Sequence, residues 1–146
     1  MSVKKSGQTR GGAIATRGLL VQTLIALLKI TNSDPPFEEI TLEPNVGNEQ
    51  FDFLWKNAEG LHATQVKSTE NIFTKAAAQE WAQKLQNART NEACTLMLVG
   101  NIHPNLAKLE PIGKVALEQK TLDLDGLIAE AAHRLAVFME SARLDA

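Results

Sequence analysis

The chain holds one cysteine, Cys94, so no internal disulfide can form. It sits in the apolar run "ACTLMLV", where a thiol reads as a small buried hydrophobe rather than a nucleophile. No apolar run is long enough to cross a bilayer. The longest, "GLLVQTLIALL", is interrupted by Gln22 and Thr23. It starts late and no small-residue cleavage site follows, which argues against a secretory leader. No Cys–His spacing suits zinc, and His62, His103 and His133 read as structural or exposed. No "GxxxxGK[ST]" is present, so the "GG" at 11–12 does not make a phosphate-binding loop. Internal repeats and low-complexity tracts are absent. With 44% apolar and 22% charged residues in 146, one folded cytoplasmic domain with a substantial core is expected.

Net charge is only −2, but the charges are segregated. Residues 1–17 carry Lys4, Lys5, Arg10 and Arg17 and no acid. Residues 34–59 carry Asp34, Glu38, Glu39, Glu43, Glu49, Asp52 and Glu59 against Lys56 alone. A basic arm beside an acidic region can hold a polyanion next to a cation site. The plainer reading of the arm by itself is a solvated tail.

Residues 1–12, with "KKSGQTRGG", read as a flexible basic lead, and residues 13–146 as a single domain. From 13 to 30 the apolar spacing is helical, with Leu20, Leu24, Leu27 and Leu28 on one face, widened by Ile14, Val21 and Ile25. Pro35 and Pro36 end it. "FEEITLE" (37–43) alternates, setting Phe37 and Glu39 against Ile40 and Leu42. "QFDFLWK" (50–56) and "LHATQVK" (61–67) are β-rich and joined by "NAEG", a loop of hairpin length. Helical spacing returns from 72 to 89, with Phe73 and Trp81 as core residues. "CTLMLVG" (94–100) reads as a buried central strand. "KVALEQK" fits strand or helix, and an amphipathic helix is expected over 124–142. The predicted class is α/β, an α-β-β-β-α-β sandwich whose mixed sheet has helices on both faces, plus a C-terminal helix.

Alternation sets Asp52 with Leu54, opposite Phe51, Phe53 and Trp55. On the next strand Gln65 and Lys67 share a face with Ala63, opposite His62, Thr64 and Val66. A hairpin places these positions on adjacent rows, so Asp52, Gln65 and Lys67 can share one face. A carboxylate and an amide oxygen are hard ligands suited to Mg²⁺, with the Val66 carbonyl as a third. A lysine beside the metal can orient or deprotonate water and offset charge building on phosphorus, which is phosphodiester chemistry. Taken singly, Asp52 also fits an edge-strand surface residue, and Gln65 and Lys67 a solvated strand end. Their joint arrangement in this element order favours the site.

With "FDF" on the second strand and "QVK" on the third, roughly residues 11–100 resemble the PD-(D/E)xK, restriction-endonuclease-like nucleases in their QxK variant. With "RGLLVQ" at the front, the chain looks like the N-terminal nuclease domains of bacterial anti-phage effectors, CBASS-type or linked to STAND NTPases. The resemblance implies a Mg²⁺-dependent endonuclease, with Mn²⁺ able to substitute, that degrades double-stranded DNA with little sequence specificity. It implies a homo-oligomer activated by clustering and fused to a sensor or NTPase domain in a longer protein. Asp52, Gln65 and Lys67 are then catalytic, with Asp52, Gln65 and the Val66 carbonyl on the metal. Lys4, Lys5, Arg10 and Arg17 would contact phosphates. Two departures stand out. Gln65 replaces the commoner glutamate, and no acid lies between 13 and 30. Gln22 is the polar group there, equally an ordinary helix residue, and Glu39, Glu43 and Glu49 are further candidate ligands. The glutamine leaves open a second function: a nuclease-like fold that binds nucleic acid or docks proteins without cutting. A third is an adaptor with no nucleic-acid role.

Overall fold

The structure is a computed structural model that describes residues 18–42, 53–89 and 91–145. Helix α1 runs through residues 18–31. Strand β1 (Phe37–Leu42), β2 (Phe53–Asn57) and β3 (Gly60–Ser68) follow, then α2 (Lys75–Ala88), β4 (Ala93–Val99), β5 (Val115–Lys120) and α3 (Leu124–Asp145). The five strands lie in sequence order across one mixed sheet. β1–β2 and β2–β3 are antiparallel, while β3–β4 and β4–β5 are parallel.

The apolar pattern of each strand decides which helices cover which face. β4 has no polar row because both its faces are covered. Cys94, Leu96 and Leu98 meet α2 residues Ala78, Ala82 and Leu85 on one side. Met97 and Val99 meet α1 residues Val21, Leu24, Ile25 and Leu28 and α3 residues Leu127 and Ala131 on the other. The crossover from β4 to β5 contains only a short 3₁₀ turn, Pro104–Leu106, and Leu106 plugs the α2 side. His103 caps that turn by accepting from the Asn105 N–H.

The ambiguous "KVALEQK" is a strand. Val115 and Leu117 point into the α2-side core, whereas Glu118 and Lys120 lie on the other face. Phe37 departs from the expected alternation. A register shift between Phe37 and Glu39 pairs Phe37 with Asn57. The ring then packs 5.6 Å from Phe138 of α3, on the same side as Ile40 and not with Glu39. A bulge adds the one residue needed to reverse the side chain.

Gly100 closes the end of β4 with φ +147°, and a Cβ there would lie 2.5 Å from the Thr69 carbonyl oxygen. Thr69 in turn donates its N–H to Val99 at 3.3 Å, which holds the chain leaving β3 against β4. Gly100→Ala therefore combines a forbidden dihedral with a backbone clash, and is expected to cost about 2–3 kcal/mol in urea unfolding. A loss below about 0.5 kcal/mol, the scale of an ordinary surface change, would show that this junction adapts freely.

Candidate functional site

The β2–β3 hairpin is closed by Ala58 and Glu59. Gly60 takes φ +127°, and Asn57 Oδ1 accepts the Glu59 N–H at 2.9 Å. That turn sets Leu54 opposite Ala63 and Phe53 opposite Thr64. Ala63 faces α2, and so do the residues two and four further along, Gln65 and Lys67, which run beside Leu96 and Leu98. The expected pairing of Gln65 and Lys67 on one face, with His62, Thr64 and Val66 opposite, is what the fold builds. Gln65 is 2% exposed. Lys67 is half-buried, its Nζ 5.2 Å from the centroid of Trp81, which forms a T-shaped pair with Phe73 at a centroid separation of 5.8 Å. Helix α2 presents Trp81 there because Thr74 caps it, its hydroxyl accepting the Ala77 N–H at 3.2 Å. The ammonium lies close to an electron-rich ring face, an attraction worth about 0.5–1 kcal/mol where solvent reaches it.

Asp52, Glu43, Glu49, Lys4, Lys5, Arg10 and Arg17 lie outside the described residues. Asp52 is covalently next to Phe53, whose partner across the ladder, Thr64, is the neighbour of Gln65. Val66 turns its side chain to the α1–α3 layer. Gln22 is half-buried on α1, the helix that packs on the opposite face of the sheet from Gln65 and Lys67. Glu39 is paired with Lys56, level with Leu61 at the hairpin end. Strand geometry puts it on the order of 15 Å from Gln65. Glu39 is therefore not a ligand in a shared coordination sphere with Gln65. Among the described residues no three His, Cys, Asp or Glu side chains are grouped to hold a metal. The amide that Gln65 presents on the α2 face offers an oxygen of the type a hard divalent cation takes.

The opposite face carries a group that the pattern of residues did not single out. A cavity of about 340 Å³ lies between the ends of α1 and α3 over β2–β5. His62 stacks on Trp55 at 4.0 Å and 13° along its edge. Burial pushes the His62 pKa below the usual value and Lys29 adds to that, while Glu59 opposes it. The neutral ring is thus favoured by folding. Its contribution is fully present above the unfolded pKa of about 6.5 and is lost as the pH falls from there through the lower folded value. Thermal unfolding of wild type should fall more between pH 8 and pH 5 than that of His62→Gln. Identical pH profiles for the two would refute the assignment. Cys94, 6% exposed, has its thiol pKa raised by burial and by Glu92, with Arg89 opposing, so a thiolate is disfavoured.

Among the described residues, no helix is long and apolar enough to cross a membrane. No family model matches the chain, and none of the curated proteins does. Among solved structures, the chain is similar to SfsA from Pyrococcus furiosus in complex with Ca²⁺. The identity is 19% and the TM-score 0.32, over 89% of this chain and 54% of that one, so the chain spans about half the length of that structure.

Proposed function

We propose that this chain is a Mg²⁺-dependent endonuclease domain that cuts double-stranded DNA with little sequence preference. One observation carries the reading. Gln65 and Lys67 stand side by side on the α2 face of β3, and the antiparallel neighbour of β3 is the strand that Asp52 leads into. In this reading Asp52, Gln65 and the Val66 carbonyl would hold the ion, with Mn²⁺ able to replace Mg²⁺. A bound ion would polarise the phosphoryl oxygen and acidify the attacking water. Lys67 leaves the Trp81 face, orients that water and places its charge against the developing negative charge on phosphorus. Lys4, Lys5, Arg10 and Arg17 hold the backbone phosphates, which accounts for weak sequence preference. Gln22 is left outside this set.

The domain is read as the cytoplasmic effector of an anti-phage protein, joined to a sensor or NTPase domain and activated by clustering. Ile128, Leu135 and Met139 on α3 support the clustering. All three are exposed and, with Ala132, follow the 4-3-4 spacing of a helix-pairing seam, for which a second copy of α3 is the natural occupant. A second reading draws on the 2% exposure of Gln65: its amide is then a core polar group, and the domain binds DNA without cutting it. Supercoiled plasmid incubated with the domain separates the two, with Mg²⁺ or EDTA and with or without forced dimerisation. Mg²⁺-dependent nicking and linearisation support the nuclease. Intact plasmid with salt-sensitive binding supports the second reading.

A further inference from the structure

The cavity across the sheet has its own chemistry. Asn57 is fixed at its edge by its partners: Nδ2 donates to Ser33 Oγ at 3.1 Å and to the Pro35 carbonyl at 3.4 Å, while Oδ1 accepts from the Glu59 N–H. The amide therefore presents oxygen to His62, 3.1 Å from Nε2. The proton of a neutral ring must then sit on Nε2, which leaves Nδ1 as a bare acceptor. The walls are apolar at Ile25, Leu28 and Met97.

Charge decides what such a cavity accepts. Lys29 pairs with Glu118, and Lys120 pairs with Glu130 at 3.0 Å, so these four cancel. Asp34 and Glu59 also line the cavity, and neither has an ion-pair partner among the described residues. The remaining charge is negative, which disfavours an anion. The apolar walls at Ile25, Leu28 and Met97 favour a cation that carries an organic body over a bare metal ion. An opening of about 340 Å³ is at the small end of ligand sites, which run from roughly 300 to 1,000 Å³.

We propose that this cavity binds a small free organic amine in its ammonium form, its head at Asp34 and Glu59 and its apolar body against Ile25, Leu28 and Met97. The His62 ring, stacked on Trp55, supplies a further acceptor for the N–H groups. Face and chemistry are separate from those of Gln65 and Lys67, so the site stands whether or not the α2 side cuts DNA.

Phenethylammonium, phenylacetate and 2-phenylethanol share a shape and differ in charge, so they isolate the electrostatic term. Titrated into the ¹⁵N-labelled chain, phenethylammonium is expected to shift the indole N–H resonance of Trp55 saturably and leave that of Trp81 in place. Asp34→Asn with Glu59→Gln, both at exposed positions, should weaken it at least about 10-fold, the scale of one lost charge contact. 2-Phenylethanol should bind more weakly and phenylacetate should not bind. A lysine side chain on another protein offers the same chemistry, and Nα-acetyl-lysine methylamide, its ε-ammonium free, serves as that arm. Tighter binding of Nα-acetyl-lysine methylamide than of phenethylammonium overturns the free-amine assignment. So do phenylacetate binding as well as the cation, unchanged affinity in the double variant, or no saturable shift at all.

Discussion

Lys67→Ala should cut plasmid cleavage by about 10³-fold, the usual scale for removing a group that moves a proton or stabilises charge in the transition state. That loss corresponds to about 4 kcal/mol of barrier. The stability lost with it is only the contact to Trp81, about 0.5–1 kcal/mol, because Lys67 is half-buried and packs on the ring rather than filling the core. The two effects are thus separable by size. Lys67→Arg sharpens the test. An arginine keeps the charge and can still stack on Trp81, but it does not give up a proton near neutral pH. It should preserve stability and DNA affinity while leaving cleavage close to the alanine level. Asp52→Ala should match Lys67→Ala in cleavage. Cleavage within about 3-fold of wild type in Lys67→Ala, less than any of these catalytic roles supplies, would remove the lysine from the chemistry.

Phe53→Ala should be the most damaging single change to the fold, at about 3–5 kcal/mol. Phe53 is 0% exposed, and its cluster joins β2 to α1, to Met97 and Val99 of β4, and to Leu127 and Ala131 of α3. Among the described residues, no other aromatic ring on that face is fully buried. A domain of this size holds roughly 5–15 kcal/mol in total, so the variant should sit near the edge of folding. In urea the midpoint should fall sharply with an unchanged slope, and Phe53→Leu should recover much of the loss. A change below about 1 kcal/mol would mean that β2 is peripheral. Because Phe53 follows Asp52 directly, the same variant should also weaken metal binding before it unfolds the chain.

Much of this was legible from local patterns. Alternation separated Phe53 and Trp55 from Leu54, and His62 and Val66 from Gln65 and Lys67, because a strand has only two sides. The unbroken run in β4 announced a strand covered on both faces. What escaped notice has physical causes. "KVALEQK" satisfies both periods over so short a span, and only its parallel pairing with β4 makes it a strand. The bulge that reverses Phe37 follows no residue signal in "FEEITLE"; the ring turns because Phe138, a hundred residues on, gives it an apolar partner. Lys67 and Trp81 meet across a strand-to-helix crossover that no periodicity describes. The cavity is harder still. Lys29 and Glu118 are 89 positions apart, and alternation places His62 on that face without disclosing which distant residues close a cavity over it.

Everything proposed for the α2 face requires Asp52, Gln65 and Lys67 to converge on one divalent ion. Mn²⁺ titration followed by electron paramagnetic resonance measures that directly, without depending on turnover. Wild type should take up one ion per chain, Asp52→Asn and Gln65→Met should each bind about 10–100-fold more weakly, and Lys67→Ala should bind at least as well as wild type because a nearby positive charge is gone. Saturable binding that neither Asp52→Asn nor Gln65→Met disturbs, or no binding by the wild-type chain, would contradict it.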